Sequence, residues 1–444
     1  MRKFFTGANY RQEWTVPVKM PVFRLEQSGL IIEEMGGGMQ TKSLKLKDKE
    51  GREWALRSVD KFVKKAMPPA LRNTLAQKIV QDMISAAHPY AAITVGDLAK
   101  AAGIIAPRPV LYFVPESEAF GPYREDFSNL VCFLEEREPG NWDKTEDTKD
   151  VLESEMEHQQ NVVMQRSVLK ARLLDMLVAD WDRHHDQYEW GVRDSGKASF
   201  YYAIPRDRDQ AFFMSGGLIP RLAKLFAMPH INSFTKNSKG LRNLNFKAWG
   251  MDKFFLNDLD AEEWQNTIRE FTAALSDERI DAAVKEMPPE AYAISGPSIA
   301  ARLKSRRDGL LKNGMKYYAF ISAAVHITGT GEKEQFRISS EGDKVRVRVL
   351  RISRAGKPDL VVYDRLFDPA DTRVLHLRGL DGDDEFIVDE KVRGKIRLNM
   401  YGDLGKDSYD LRGATRSTIY DLNSEESRML HKGNARVVLS NPAF

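Results

Sequence analysis

Two acidic clusters, each placed at the end of an apolar run, constrain this chain more than any other feature. The first is Asp180-Trp181-Asp182-Arg183-His184-His185-Asp186-Gln187, preceded by Leu173, Leu174, Met176, Leu177 and Val178. Those spacings suit a buried helix face. The second is Arg206-Asp207-Arg208-Asp209-Gln210, preceded by the strand-like run Phe200-Tyr201-Tyr202-Ala203-Ile204. Acids delivered together by a helix end and a strand end are what a metal–phosphate site requires. A divalent cation takes carboxylate and amide oxygens, and phosphoryl transfer needs a base near the attacking hydroxyl. Either cluster alone reads as a solvated acidic turn; the pair, in this order, points to a site.

A chain of 444 residues is too long for one ordinary core, so two or three domains are expected. Hydrophobic residues make up 42% and charged residues 30%, the balance of a soluble globular protein. The net charge of +3 is too small to indicate nucleic acid as a partner. Basic runs at residues 61–65 and 302–307 read as solvated faces. Cys132 is the only cysteine, which excludes an intrachain disulfide and leaves cytoplasm and periplasm both open. No apolar run reaches membrane-spanning length. Met1-Arg2-Lys3-Phe4-Phe5 begins like a signal peptide but breaks at once into Thr6, Gly7, Asn9 and Arg11.

The texture changes twice along the chain. Residues 1–138 mix strand-like segments with one strong helix. Segments 42–46 and 52–59 flank the turn signal Asp48-Lys49-Glu50-Gly51, a hairpin. Pro68-Pro69 opens a helix carrying Leu71, Leu75, Ile79, Met83 and Ala87. Residues 110–114 and 130–134 read as buried strands, and 141–150 as a polar linker or loop. Residues 139–325 are mainly helical: one or two helices over 151–178, one through Trp264, Ile268, Phe271 and Leu275, one capped by Ser276, and one over 299–318. Residues 215–255 read as irregular with short helices. From about 326 to 444 strand signals dominate, as in the strict alternation of Val345-Arg346-Val347-Arg348-Val349.

The glycine run Gly36-Gly37-Gly38 joins two strands, which argues against a Walker loop or a Rossmann turn, since both place a helix after the glycines. Without Cβ atoms such a turn lets backbone N–H groups approach a polyphosphate. On the following strand Arg57 is the inward cation that would grip phosphate. Gln81 and Asp82 are the polar residues of the preceding helical pattern that would orient it. Backbone groups near Leu134 and Glu135 would face an adenine edge. Asp182 is the candidate base; Gln187 and Asp207 are the candidate metal ligands; Arg183, His184 and Asp209 support the same loops, with Asp186 in reserve. A zinc site from Asp182, His184 and His185 is disfavoured, because adjacent side chains rarely converge on a tetrahedral ion.

In order, these residues resemble the atypical kinase-like fold of phosphatidylinositol kinases, HipA-like kinases, CotH kinases and secretory-pathway protein kinases. Asp182-Arg183-His184-His185-Asp186-Gln187 is similar to that group's D-R-H-x-x-N loop, with glutamine in the asparagine position. Pro205 to Phe212 is similar to its I-D-x-G-x-A-F segment through Asp207, Ala211 and Phe212. The resemblance, over about the first two thirds of the chain, implies a bilobal kinase-like domain with a β-rich N-lobe (1–138) and a helical C-lobe (139–325); with the β-rich C-terminal domain read from the strand pattern (326–444), the expected fold class is α+β. It implies ATP and Mg²⁺ or Mn²⁺ as cofactors, nucleotide as a partner and an unidentified phosphate acceptor. Arg57 replaces the usual lysine, and Gln81 or Asp82 the usual glutamate, so an inactive nucleotide-binding or scaffolding module is the alternative. The segments at 36–41, 56–61 and 85–90 also resemble a domain that follows metallophosphoesterase domains in Bacteroidota proteins. That implies an attached or associated metallophosphoesterase, although this chain has no D-x-H or G-N-H-[DE] motif.

Near the C-terminus Gly379-Leu380-Asp381-Gly382-Asp383-Asp384-Glu385-Phe386 matches Gly402-Asp403-Leu404-Gly405-Lys406-Asp407-Ser408-Tyr409. The pattern resembles the calcium-binding nonapeptide of RTX proteins, whose turns stack in tandem. Two copies this far apart are not expected to build that ladder. Asp384 and Asp407 are therefore expected to cap turns, and a calcium-dependent β-domain is the third reading, with Ca²⁺ an unlikely cofactor.

Overall fold

The N-terminal sheet is set by its second hairpin. Asp48 Oδ1 accepts from the N–H groups of Glu50 (3.0 Å) and Arg52 (2.9 Å), and Gly51 supplies the positive φ of +83° that the turn needs. This fixes the register of β2 (Ser43–Lys47) against β3 (Glu53–Ser58). With β1 (Ile31–Gly36), β4 (Val110–Val114) and β5 (Leu130–Glu136) they form an antiparallel sheet in the order β1-β2-β3-β5-β4. Alternation sorts its faces. Leu44, Leu46 and Leu56 are buried against Phe23, Phe120, Phe127 and Cys132. Ala55, Arg57 and Glu135 share the opposite face, with Ala55 directly opposite Glu135.

The computed structural model describes residues 9–36, 41–60, 84–214, 230–423 and 426–440. Gly37, Gly38, Gln81, Asp82, the helix opened by Pro68 and the basic run at 61–65 lie outside the described residues. Among the described residues no helix is long and apolar enough to cross a membrane.

The expected polar linker at 141–150 is instead ordered. Lys144–Asp147 forms β6, and Asp147 caps α2 (Thr148–Glu157) by accepting from the N–H groups of Lys149 and Asp150. Here α1 is Ala91–Ala101. The acids that look like a loop are a strand edge and a helix cap. β6 pairs with β8 (Tyr188–Asp194), which pairs with β9 (Ser199–Pro205), and the two-residue β7 (Val162–Val163) closes the sheet. α3 (Gln165–Val178) is buried almost throughout from Val168 onward. Helices α4 (Ala261–Ala274), α5 (Asp277–Lys285), α6 (Pro289–Asp308) and α7 (Leu310–Ile321) pack with it around Trp264, Phe271, Leu303 and Tyr317. Ser276 caps α5 as expected, accepting from Arg279 N–H. The single helix expected over 299–318 is two helices broken at Gly309, a weak helix former. Arg306, read from sequence as solvated, is buried. Its guanidinium donates to the carbonyls of Met176 and Leu177, both at 2.6 Å. These are last-turn carbonyls of α3, which lack partners inside the helix.

Strands from β10 (Ala324–Thr328) to β20 (Arg436–Ser440) make two sheets ordered β10-β14-β16-β18-β20 and β13-β12-β11-β15-β17-β19. Apart from the hairpins β11 (Glu334–Glu341), β12 (Lys344–Ile352) and β13 (Pro358–Phe367), neighbouring strands are parallel. The chain thus alternates between the sheets, one rung at a time: β14 (Val374–Leu380) then β15 (Glu385–Val388), β16 (Arg397–Asp403) then β17 (Ser408–Leu411), β18 (Ser417–Leu422) then β19 (Arg428–His431). This corrects the expectation that the two glycine–aspartate repeats are too far apart to stack. Their separation is one full rung, so they lie directly on one another.

Stacking also changes what the repeat aspartates do. Asp384 Oδ1 accepts from Glu334 N–H (2.8 Å), and Asp407 Oδ1 accepts from Asp384 N–H (2.9 Å). They tie rung to rung instead of capping their own turns. Phe336, Phe386 and Tyr409 stack in the same order, at 4.8 and 5.2 Å between ring centroids.

Candidate functional site

The helix end and the strand end do converge. α3 stops at Ala179, which adopts a left-handed φ of 55°, and the chain runs through Asp180 to Gln187 into β8. The second cluster leaves β9 beside it: Arg206 N–H donates to Gln187 O at 2.9 Å, and Phe212 N–H to Val178 O at 2.9 Å. Arg183 clamps the junction. Its buried guanidinium donates to the carbonyls of Asp207 (2.8 Å), Gln187 (3.2 Å) and Arg206, and lies 4.9 Å from the Tyr188 ring centroid. Asp207 itself sits at φ 53°, a strained region for a side-chain-bearing residue. The Arg183 bonds on either side of its peptide hold it there.

Sequence reasoning missed the residue beneath this clamp. Asp175 is fully buried on α3. It accepts from Tyr188 Oη at 2.6 Å, lies 3.4 Å from Arg183 Nε and contacts both Arg172 and Arg208. Arg172 in turn bonds Asp252 (2.7 Å) and Asn245 (2.8 Å). Burial pushes the Arg208 guanidinium down to about 9, with Arg172 adding to the effect. Nothing but the isolation of one acid in an apolar run marks Asp175 in the sequence.

The remaining acids divide by burial. Asp180 is buried, and loss of solvent pushes its carboxyl up to about 7; Arg183 opposes the shift, while Asp209 and Asp182 reinforce it. Asp182 is partly exposed. Its N–H donates to Asp180 Oδ1 at 3.3 Å, and its carboxylate contacts Lys247 Nζ, from a short turn at Phe246–Ala248. His184 Nδ1 lies 3.3 Å from Asp186 and His185 Nε2 lies 3.0 Å from it. Burial lowers the affinity of His184 for a proton. His184, His185 and Asp186 have ligand atoms within 4.8 Å of one another, on a largely exposed loop.

Arg57 reaches across from the N-terminal sheet. Its guanidinium contacts the Asp207 carboxylate and lies 3.4 Å from Glu135. Glu135 stands within β5 and supplies an acid beside Arg57 that the sequence reading sought on a helix. Gln187 is buried, and its Oε1 has no hydrogen-bond partner among the described residues. An unpaired buried amide oxygen costs free energy unless something binds it. Its amide oxygen and the carboxylate oxygens of Asp207 are each of the kind a hard divalent cation takes. The structure therefore brings Arg57, Glu135, Asp207, Gln187 and Arg183 into one linked cluster, with Asp182, His184 and Asp209 on its two loops. Gly36 ends β1 opposite Ser43.

No protein-family model matches the chain, and no curated protein matches it. Solved structures with partial likeness include the proinflammatory kinase CtkA of Helicobacter pylori, 9% identical, covering 62% of this chain and 94% of that one with a TM-score of 0.33. The Rio2 kinase–ADP/Mg²⁺-phosphoaspartate complex from Chaetomium thermophilum is 13% identical over 64% of this chain and 71% of that one, TM-score 0.31. HipA of Shewanella oneidensis, solved with HipB and operator DNA, is 11% identical over 68% of each chain, TM-score 0.33.

Proposed function

We propose that this chain is an ATP-dependent phosphotransferase using Mg²⁺ or Mn²⁺, with an N-lobe at 1–138, a helical C-lobe at 139–325 and an appended β-domain at 326–444. One observation carries the reading. Arg57, on β3, meets Asp207, on the loop that Arg183 locks to Gln187. A cation from one element opposed to oxygen donors from another is the arrangement that grips a metal-bound polyphosphate. Arg57 would bind phosphate oxygens, with Glu135 orienting its planar fork. Gln187 and Asp207 would hold the divalent cation, which when bound neutralises charge on the phosphate oxygens. Asp182 would accept the proton of the acceptor hydroxyl. Gly36 to Gly38 would bring backbone N–H groups over the phosphates.

A second reading, a nucleotide-binding module without catalysis, is favoured by the pairing of Asp182 with Lys247 and of Asp207 with Arg57. Thermal unfolding with and without Mg²⁺-ATP tests the shared element, since a ligand of the native state raises apparent stability. An upward shift that Asp207→Ala abolishes is expected; no shift at saturating nucleotide overturns both readings. ADP release lost in Asp182→Asn selects the first. A nucleotide shift without ADP release in the wild type selects the second.

A further inference from the structure

Lys247 arrives at this site from neither acidic cluster. It sits on a single short turn, and that turn is anchored. Asn245, just before it, is buried, accepts from Arg172 Nη2 (2.8 Å) through its side chain, and from Ala248 N–H (2.9 Å) through its carbonyl. Arg172 is held by the same Asp175 that braces Arg183. One buried ionic network therefore positions both the clamp on the acidic loops and the backbone that carries Lys247.

The side chain is placed as deliberately. Its ammonium touches the Asp182 carboxylate and lies 5.5 Å from the centroid of Trp181, whose ring packs against Phe213 and His230. An aromatic face attracts a cation without neutralising it. About a third of the Lys247 side chain (35%) remains exposed, so it is open to a ligand. Among the described residues the arginines of the loops and Arg57 are committed elsewhere: Arg57 to Asp207 and Glu135, Arg183 to backbone carbonyls and Asp175, Arg206 to Glu189, Arg208 to Asp175.

We infer that Lys247 is a second catalytic cation, holding Asp182 before transfer and stabilising the transferring phosphoryl group during it. The assignment rests on the phosphotransferase reading above. In the step, the acceptor oxygen forms a bond to the terminal phosphorus. The bond from that phosphorus to its bridging oxygen breaks, and its electron pair leaves with ADP. The acceptor proton passes to Asp182. As Asp182 becomes neutral it loses its hold on the ammonium, and Lys247, still protonated, turns to the phosphoryl oxygens, where charge is concentrated in the transition state. The pair is thus a relay of one positive charge, released at the moment the phosphoryl group needs it.

The test compares ADP release from Mg²⁺-ATP, with water as acceptor, in the wild type, Lys247→Ala, Lys247→Met and Lys247→Arg, alongside the thermal shift with Mg²⁺-ATP. The expected result is a fall in kcat of about 100-fold or more in the Ala and Met variants, with KM for ATP and the nucleotide shift little changed, and partial recovery in Lys247→Arg. A kcat in Lys247→Ala equal to or above the wild type overturns the assignment and leaves the phosphotransferase reading standing. A loss confined to KM overturns it as well, since it would make Lys247 an ATP anchor. Absence of ADP release from the wild type despite a nucleotide shift overturns the catalytic reading and this assignment together.

Discussion

The site loops and the C-terminal rungs both bury acids next to the ends of helices or strands, yet they satisfy those acids in opposite ways. At the site, Asp175 is surrounded by Arg172, Arg183 and Arg208, and the partly exposed carboxylates of Asp182 and Asp207 each take a side-chain cation. In the rungs, Asp384 and Asp407 are fully buried and bound by backbone N–H groups of the rung before, with no cation in contact among the described residues. Cations can be displaced by a ligand; backbone amides in a ladder cannot. The first arrangement suits chemistry and the second suits architecture, although the residue types are nearly the same.

The largest effect should come from the buried network that serves the site. Asp175→Ala strips three guanidinium groups of a shared anion and should destabilise the protein by about 3–5 kcal/mol. Chemical denaturation measures it, and a loss under about 1 kcal/mol would mean that the arginines find other partners.

Next comes backbone geometry in the rungs. A Cβ on Gly405 would stand 1.7 Å from Gly382 O, and φ there is +132°. The neighbouring rung's backbone has no freedom to retreat. Gly405→Ala should cost about 2–4 kcal/mol. A near-neutral substitution would show that the rungs do not stack this closely.

A third contrast is pH. Burial raises the carboxyl of Asp384 to about 9, opposed by the Glu334 N–H bond and by Lys333 and reinforced by Glu334 and Asp407. It raises that of Asp407 to about 7, opposed by the Asp384 N–H and reinforced by Asp421, Asp383 and Asp403. A carboxyl whose folded pKa lies above its unfolded value stabilises fully below the unfolded value, near 4, and that contribution is lost as pH rises through the folded value. Stability of the rungs should therefore fall from about pH 4 to 9, through both carboxyls up to about 7 and through Asp384 alone above that. Asp384→Asn should flatten the upper part of that fall in melts taken across pH. An unchanged slope would place the titrating group elsewhere.

Much of this was readable from sequence where local chemistry sets geometry. The Asp48 turn, the Ser276 cap and the two acid-bearing ends follow from residues adjacent in the chain. What escaped depends on residues brought together from afar. Asp175 and Arg306 are charged residues inside apolar or basic runs, and only packing shows that one braces the loops and the other closes α3. Glu135 looks like a strand end until Arg57 is seen beside it. Lys247 sits on a turn too short to have a period. The rung structure was half visible: Gly329, Glu334 and Phe336 repeat the spacing of Gly379, Asp384 and Phe386, but the β12 and β13 strands inserted after β11 break the interval and hide the third copy.

The smallest stability effect is the one that most sharpens the contrast. Lys247–Asp182 and Arg57–Asp207 are partly exposed pairs, screened by solvent and salt, and such pairs contribute at most about 1 kcal/mol. Lys247→Ala and Arg57→Ala should therefore leave the denaturation midpoint almost where it is in the wild type, while Asp175→Ala moves it far. Residues whose loss spares the fold but removes activity belong to a site held ready by other residues. If instead either substitution unfolds the protein as readily as Asp175→Ala, the pair is a structural tie between the N-terminal sheet or the Lys247 turn and the acidic loops. The distinction between the two kinds of acid would then fail at its first member.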